Sequence, residues 1–179
     1  YHEYADNNAV VDYGFHGVIQ HVDDEILNEM KEIIDDCGIQ SFKGYLTYDY
    51  KIDDDKMIRV FERLKESGGI TTIHCENHGS IQYLRNKFVD KGFTSPKYHC
   101  LSRPVEAEGE AVNRMIKLAK IANYEGLYVV HLSTKDGLEH IKKARESIHR
   151  FILHFKEVSY ISVSQRLSPK LEAHGTGRS

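Results

Sequence analysis

The chain has 179 residues, 40% hydrophobic and 28% charged, which suits one soluble domain with a sizeable core. Its 24 basic and 27 acidic residues leave a net charge of −3 with no basic cluster, which argues against nucleic acid as a partner. No run approaches the roughly 18 apolar residues of a membrane span, and the opening Tyr1-His2-Glu3-Tyr4-Ala5-Asp6 is too polar for a secretory leader.

In chain order, Ala9 to Ile19 reads as a strand, rich in β-branched and aromatic residues. Asp23 and Asp24 then offer N-cap chemistry. Ile26, Met30, Ile33 and Ile34 follow at helical spacing, and Gly38 ends the helix. Ser41 to Thr47 is a second strand. Asp53 to Ser67 is a second helix, with Met57, Val60, Phe61 and Leu64 on one face and Gly68-Gly69 after it. Ile70 to His74 is a third strand, and a helix runs from about Ile81 to Asp90. A loop through Pro96 and Pro104 leads to a long helix from about Val105 to Ala122. Gly126 to Leu132 is a fourth strand, and Lys135 to Glu146 a further helix. Residues 148–179 lack a coherent period, which a shifted reading frame, an appended tail or real divergence would each give. A strand is possible at Val158–Val163, before a disordered tail.

Strands that alternate with helices imply βαβ crossovers and a parallel α/β sheet. Four such units are half of an eight-fold barrel, whose full size is about 250 residues. A smaller doubly wound sheet fits the same pattern, and periodicity alone does not choose.

Three polar residues stand in or at the ends of the apolar strands: Lys43, His74 and His131. Ligands of parallel α/β sheets bind at the C-terminal strand ends. Neutral imidazole is a common metal ligand, so the two histidines make a candidate pair. Lysine is normally protonated and a poor ligand. Carbamylation by carbon dioxide would convert it to an anionic oxygen donor able to bridge two metals. Each residue alone is more often structural, but three on successive strands argue against coincidence and for a metal site. The high count of 11 histidines points the same way. Cys75 beside His74 faces the other side of its strand. With Cys37 and Cys100 it makes three cysteines without CxxC spacing, which suggests a reducing, cytoplasmic setting. Glu76 and Asn77 either orient His74 or start the next helix. His16 reads as a structural or ligand-supporting residue, and His78, His99 and His140 as surface residues.

The segments Asp12-Tyr13-Gly14-Phe15-His16, Ser41 to Tyr48, His74-Cys75-Glu76-Asn77 and Tyr128 to Ser133 resemble, in order and spacing, successive motifs of the dihydropyrimidinase/hydantoinase family of amidohydrolases. Arg103-Pro104 with Glu106, Glu108, Ala111 and Arg114 resembles a further segment, and the likeness covers about residues 1–147. It implies a partial (β/α)8 barrel with zinc as cofactor: two ions in the parent family, at most one here. By resemblance Lys43 is the carboxylated bridging lysine, and His74 and His131 bind the second metal. Tyr48 hydrogen-bonds the substrate, and Tyr45 and Ile52 shape the pocket. The implied reaction is hydrolysis of a small cyclic amide, a dihydropyrimidine or hydantoin, to an N-carbamoyl amino acid.

The family's His-x-His pair and its last-strand aspartate have no counterpart here, so the chain is expected to be inactive alone. The Glu-x-Cys-Pro-type motif expected after Glu146 is also missing, and residues 148–179 read as a divergent segment. Raw sheet edges predict a homo-oligomer. The alternatives are a non-catalytic dihydropyrimidinase-related scaffold protein or an allantoinase or dihydroorotase relative. An unrelated doubly wound binding domain would need a glycine-rich phosphate loop, and none occurs.

Overall fold

The computed structural model describes residues 2–147. The expected segment 148–179, with its possible strand at Val158–Val163, lies outside the described residues.

Four strands form one parallel sheet in chain order: β1 (Gly17–Val18), β2 (Ser41–Tyr45), β3 (Ile70–His74) and β4 (Leu127–Val129). A short α1 (His2–Ala5) precedes β1. Helix α2 (Asp24–Cys37) joins β1 to β2, and α3 (Asp54–Ser67) joins β2 to β3. Three helices fill the next connection: α4 (His78–Asp90), α5 (Lys97–Leu101) and α6 (Val105–Ile121). Helix α7 (Lys135–Ser147) follows β4. A doubly wound sheet reverses its strand order at a switch point. Here neighbours in sequence are neighbours in the sheet, as in a barrel wall.

The helix boundaries follow from local chemistry. The Asp23 carboxylate accepts a hydrogen bond from the Ile26 N–H at 2.9 Å and so caps α2. Gly38 and Gly68 end α2 and α3 with φ of 67° and 73°, the left-handed region that only glycine enters freely. Met57, Val60, Phe61 and Leu64 of α3 are all 0% exposed, each stabilising by about 1.5–3 kcal/mol. They meet Ala111, Val112, Met115 and Ala119 of α6 in the same core. The Phe61 ring stacks on Tyr124 with centroids 5.0 Å apart. Arg114 of α6 adds an ion pair to Asp54 of α3 and another to Glu110 at 2.9 Å.

Strand burial alternates. Phe42, Ile73, Leu127 and Val129 are buried under the helices, whereas Ser41, Lys43 and Tyr45 of β2 and Tyr128 of β4 are half-buried on the other face. The covered face holds the fold together and the open face carries the polar residues.

Four expectations need correction. The strand expected over Ala9–Ile19 is only Gly17–Val18, because β2 begins at Ser41 and offers just Phe42 and Lys43 as partners. Gly17 is needed there: a Cβ would lie 2.7 Å from the Phe42 ring. The Pro96–Pro104 loop contains α5, and α4 begins three residues earlier than expected, at His78. The second and fourth strands end at Tyr45 and Val129, earlier than Thr47 and Leu132, since the chain turns away after each.

The two N-caps differ in a measurable way. The Asp53 side chain makes no capping hydrogen bond to α3 and pairs with Lys51 instead. Asp23→Ala is expected to lower unfolding free energy by about 1 kcal/mol in urea titrations, and Asp53→Ala by clearly less.

Candidate active site

Register builds the site. Lys43 pairs with Thr72, and Tyr45 pairs with His74, in the parallel β2–β3 ladder. Paired residues of a parallel ladder share a face, so Lys43, Tyr45, Thr72 and His74 project to the same side. The Lys43 ammonium lies 5.1 Å from the Tyr45 ring centroid, and that ring is 6.1 Å from the His74 ring.

His131 reaches the same place by another route. Strand β4 ends at Val129, and the Val130 N–H still donates to the Ile73 carbonyl at 3.1 Å. His131 then has a φ of 40°. That left-handed turn carries its ring toward β3, to a centroid distance of 4.6 Å from His74. The Glu108 carboxylate of α6 holds the turn by accepting from the Ser133 N–H at 3.0 and 3.1 Å.

A line of polar contacts runs through the histidines. His131 Nε2 is 2.9 Å from His74 Nδ1, and His74 Nε2 is 2.7 Å from a Glu76 carboxylate oxygen. Arg103 binds that same oxygen through Nη1. Burial alone would raise the Glu76 pKa, but the His74 hydrogen bond and the Arg103, His74 and His131 charges outweigh it and hold the carboxyl below its ordinary value. An ionised Glu76 only accepts, so in that contact His74 donates from Nε2. Desolvation, then His74 and Lys43, lower the His131 pKa. Burial lowers that of Lys43 against the opposing influence of Cys75. Both groups are thereby pushed toward the neutral forms that bind cations or carbon dioxide.

Tyrosines wall one side. Tyr48 has a φ of 74°, unusual for a bulky residue, and its ring lies 5.4 Å from His74. The Arg103 guanidinium sits 5.7 Å over the Tyr48 ring. Tyr45 and Tyr50 meet edge to face at 4.9 Å. Of the three non-glycine residues with positive φ among the described residues, Tyr48 and His131 are both here, as strained backbone at working sites leads one to expect.

The structure thus brings Lys43, Tyr45, Tyr48, His74 and His131 together. Ile52 is different: its side chain is 3% exposed in the core below, and its N–H ties the loop to the Tyr45 carbonyl at 2.9 Å. Sequence reasoning did not single out Tyr50 or the Arg103–Glu76 link. Glu76 orients His74, while Asn77 caps α4 by accepting from the Ser80 N–H at 2.9 Å. Cys75 is buried with its thiol pushed up by desolvation, unsuited to nucleophilic work. His16 is exposed and bonded to Ser41 Oγ at 2.6 Å. His99 is exposed; His78 and His140, expected on the surface, are half-buried. His78 is held by the Thr47 hydroxyl at 3.2 Å, and His140 pairs with Asp136 at 3.6 Å. Among the described residues no three His, Cys, Asp or Glu side chains form a metal cage by themselves.

No family model matches the chain. Known proteins do. D-phenylhydantoinase of Escherichia coli K12 is 50% identical over 145 residues, which are 81% of this chain and 31% of that protein. The dihydropyrimidinase of Brevibacillus agri superposes with a TM-score of 0.77 at 38% identity, over 82% of this chain and 32% of that one. The D-hydantoinase of Bacillus sp. AR9 does so with a TM-score of 0.77 at 39% identity and the same coverage. Over this stretch the chain belongs to the dihydropyrimidinase/hydantoinase family. Its βα units are therefore part of an amidohydrolase (β/α)8 barrel, a fold that places its sites at the C-terminal strand ends, where β3 closes on His74. This hydantoinase-family chain spans about a third of the length of the curated relatives it matches.

The backbone at Tyr48 supplies a test. Glycine usually destabilises relative to alanine, but a left-handed residue reverses the sign. Tyr48→Gly is expected to be more stable than Tyr48→Ala by about 1 kcal/mol, read by thermal unfolding of the two variants side by side.

Proposed function

We propose that this chain carries the ligands of one zinc ion, and the substrate-orienting tyrosine, of a hydrolase that opens dihydropyrimidine or hydantoin rings to N-carbamoyl amino acids. The observation that supports this most directly is the convergence of His74 Nδ1 and His131 Nε2 at 2.9 Å, at neighbouring strand ends on the face that bears Lys43.

The donor set fits zinc. Imidazole nitrogens are donors that zinc takes, and His74 Nδ1 and His131 Nε2, 2.9 Å apart, would hold the ion. Lys43 completes the set as a carbamate: its neutral amine attacks carbon dioxide and loses a proton, leaving an anionic oxygen donor. The lowered pKa of Lys43 favours that step. When bound, zinc supplies Lewis acidity, making water acidic enough to attack near neutral pH and polarising a carbonyl.

The chain's own residues do the rest. The Tyr48 hydroxyl donates a hydrogen bond to the ring carbonyl oxygen as negative charge develops there. The Arg103 cation above its ring holds the phenol in place. Tyr45 and Tyr50 give an apolar wall for the ring substituent. The 179 residues contain no His-x-His pair, so in this reading further donors come from elsewhere, and the isolated chain does not turn over. A cytoplasmic setting and a homo-oligomer, paired through the edges left by β1 and β4, belong to the same reading. No helix among the described residues is long and apolar enough to cross a membrane. In size-exclusion chromatography the chain is expected to elute above its monomer mass of 20.6 kDa.

The decisive experiment places residues 2–147 into the E. coli D-phenylhydantoinase in place of its matching third. The chimera is expected to bind zinc and hydrolyse phenylhydantoin. Lys43→Ala and His131→Ala should abolish turnover and zinc retention, and Tyr48→Phe should lower kcat by about 100-fold. A folded chimera that loads zinc equally well with and without Lys43 and His131 would overturn the assignment.

A further inference from the structure

The contact between His74 and Glu76 raises a question that the metal ligands alone do not answer. A neutral imidazole carries one proton, and only the other nitrogen can bind a cation. In water the two tautomers interconvert, so an unconstrained histidine presents the wrong nitrogen part of the time. His74 is tethered on both sides: Nε2 to Glu76 at 2.7 Å and Nδ1 to His131 at 2.9 Å. Glu76 is in turn gripped by Arg103, 27 residues further along the chain and two residues before α6, and the side chains of this ion pair are only 15% and 20% exposed.

We propose that Glu76, clamped by Arg103, is a positioning residue that fixes the His74 tautomer, keeping the proton on Nε2 so that Nδ1 is the donor atom presented to a cation. The inference rests on the metal-site reading above for its purpose, but not for its geometry. An ionised carboxylate accepts and cannot donate, so the proton between it and His74 belongs to the imidazole. In the metal-free chain the Nδ1 lone pair then accepts from His131 Nε2–H. A cation held between the rings would take the place of that proton, which would shift through solvent to His131 Nδ1 and leave both imidazoles neutral. Arg103 has a second contact, over the Tyr48 ring at 5.7 Å. The same guanidinium therefore links the orientation of a metal ligand to that of the substrate-facing phenol. Carboxylate partners of ligating histidines commonly govern metal affinity by 10–100-fold.

The test uses the full 179-residue chain with ¹⁵N-labelled histidine, without metal, at a pH where imidazoles are neutral. The ¹⁵N shifts report the tautomer of His74, assigned by its loss in His74→Gln. Wild type is expected to show one tautomer, protonated at Nε2. Glu76→Ala should give a mixture, and Glu76→Gln, which keeps an accepting oxygen, should restore much of the bias. Zinc titration of the same samples should show Glu76→Ala binding 10–100-fold more weakly, with thermal melts confirming that both variants fold. A single Nε2–H tautomer in folded Glu76→Ala, or a mixture in wild type, would overturn the proposal. If wild type shows the fixed tautomer yet takes up no zinc, the positioning role stands and the metal-site reading falls.

Discussion

The in-register pairing of β2 with β3 is the constraint on which the rest of this structure depends. Five consecutive residue pairs, from Ser41↔Ile70 to Tyr45↔His74, fix which side chains share a face. Slipping that ladder by one residue would send Lys43 and Tyr45 under the helices and bring Phe42 and Gly44 to the open side. The packing forbids it. Phe42 and Ile73 are sealed beneath α3 and α6, and turning them outward would expose that apolar surface while burying an ammonium. The apolar face chooses the register, and the register delivers the polar face as a by-product.

From that base the site is completed by local departures from regular structure. Strand alternation alone sets His74, but His131 and Tyr48 arrive through left-handed residues just past strand ends. Such conformations are unfavourable by about 1–2 kcal/mol for a residue with a Cβ. They persist because neighbouring contacts hold them: Glu108 on the Ser133 N–H beside His131, and the Ile52 N–H on the Tyr45 carbonyl beneath the Tyr48 loop. The fold thus uses its rigid parts to hold a few strained ones.

How much was legible beforehand follows from the range of each interaction. Helices α2 and α3 could be read nearly to the residue, since Asp23, Gly38 and Gly68 act on their own immediate neighbours. Strand β3 likewise announced itself by composition, and Lys43, His74 and His131 stood out as polar residues against apolar runs. The resemblance to hydantoinases gave them roles that spacing alone could not. What the text concealed depends on partners far along the chain. The length of β1 is decided by where β2 starts, 41 residues in, and composition could not show that. The Arg103 clamp on Glu76 spans 27 residues and the Thr47 hold on His78 spans 31. The short α5 lies between two prolines that ordinarily signal a loop. Ile52, read as a pocket residue, is taken into the core because Met57 and Gly44 leave it a place there.

Strand order that matches chain order also has a bearing on synthesis. Each βα unit finds its partner in the unit made just before it, so nothing in this part of the wall waits for a distant segment to emerge from the ribosome. The longest link in the histidine line, from His74 to His131, closes over 57 residues. Once the chain has passed Ser133 and α7 has room to dock, both rings can face each other whatever is still to be translated. A growing polypeptide of this kind can therefore carry a formed histidine pair while it is still being made.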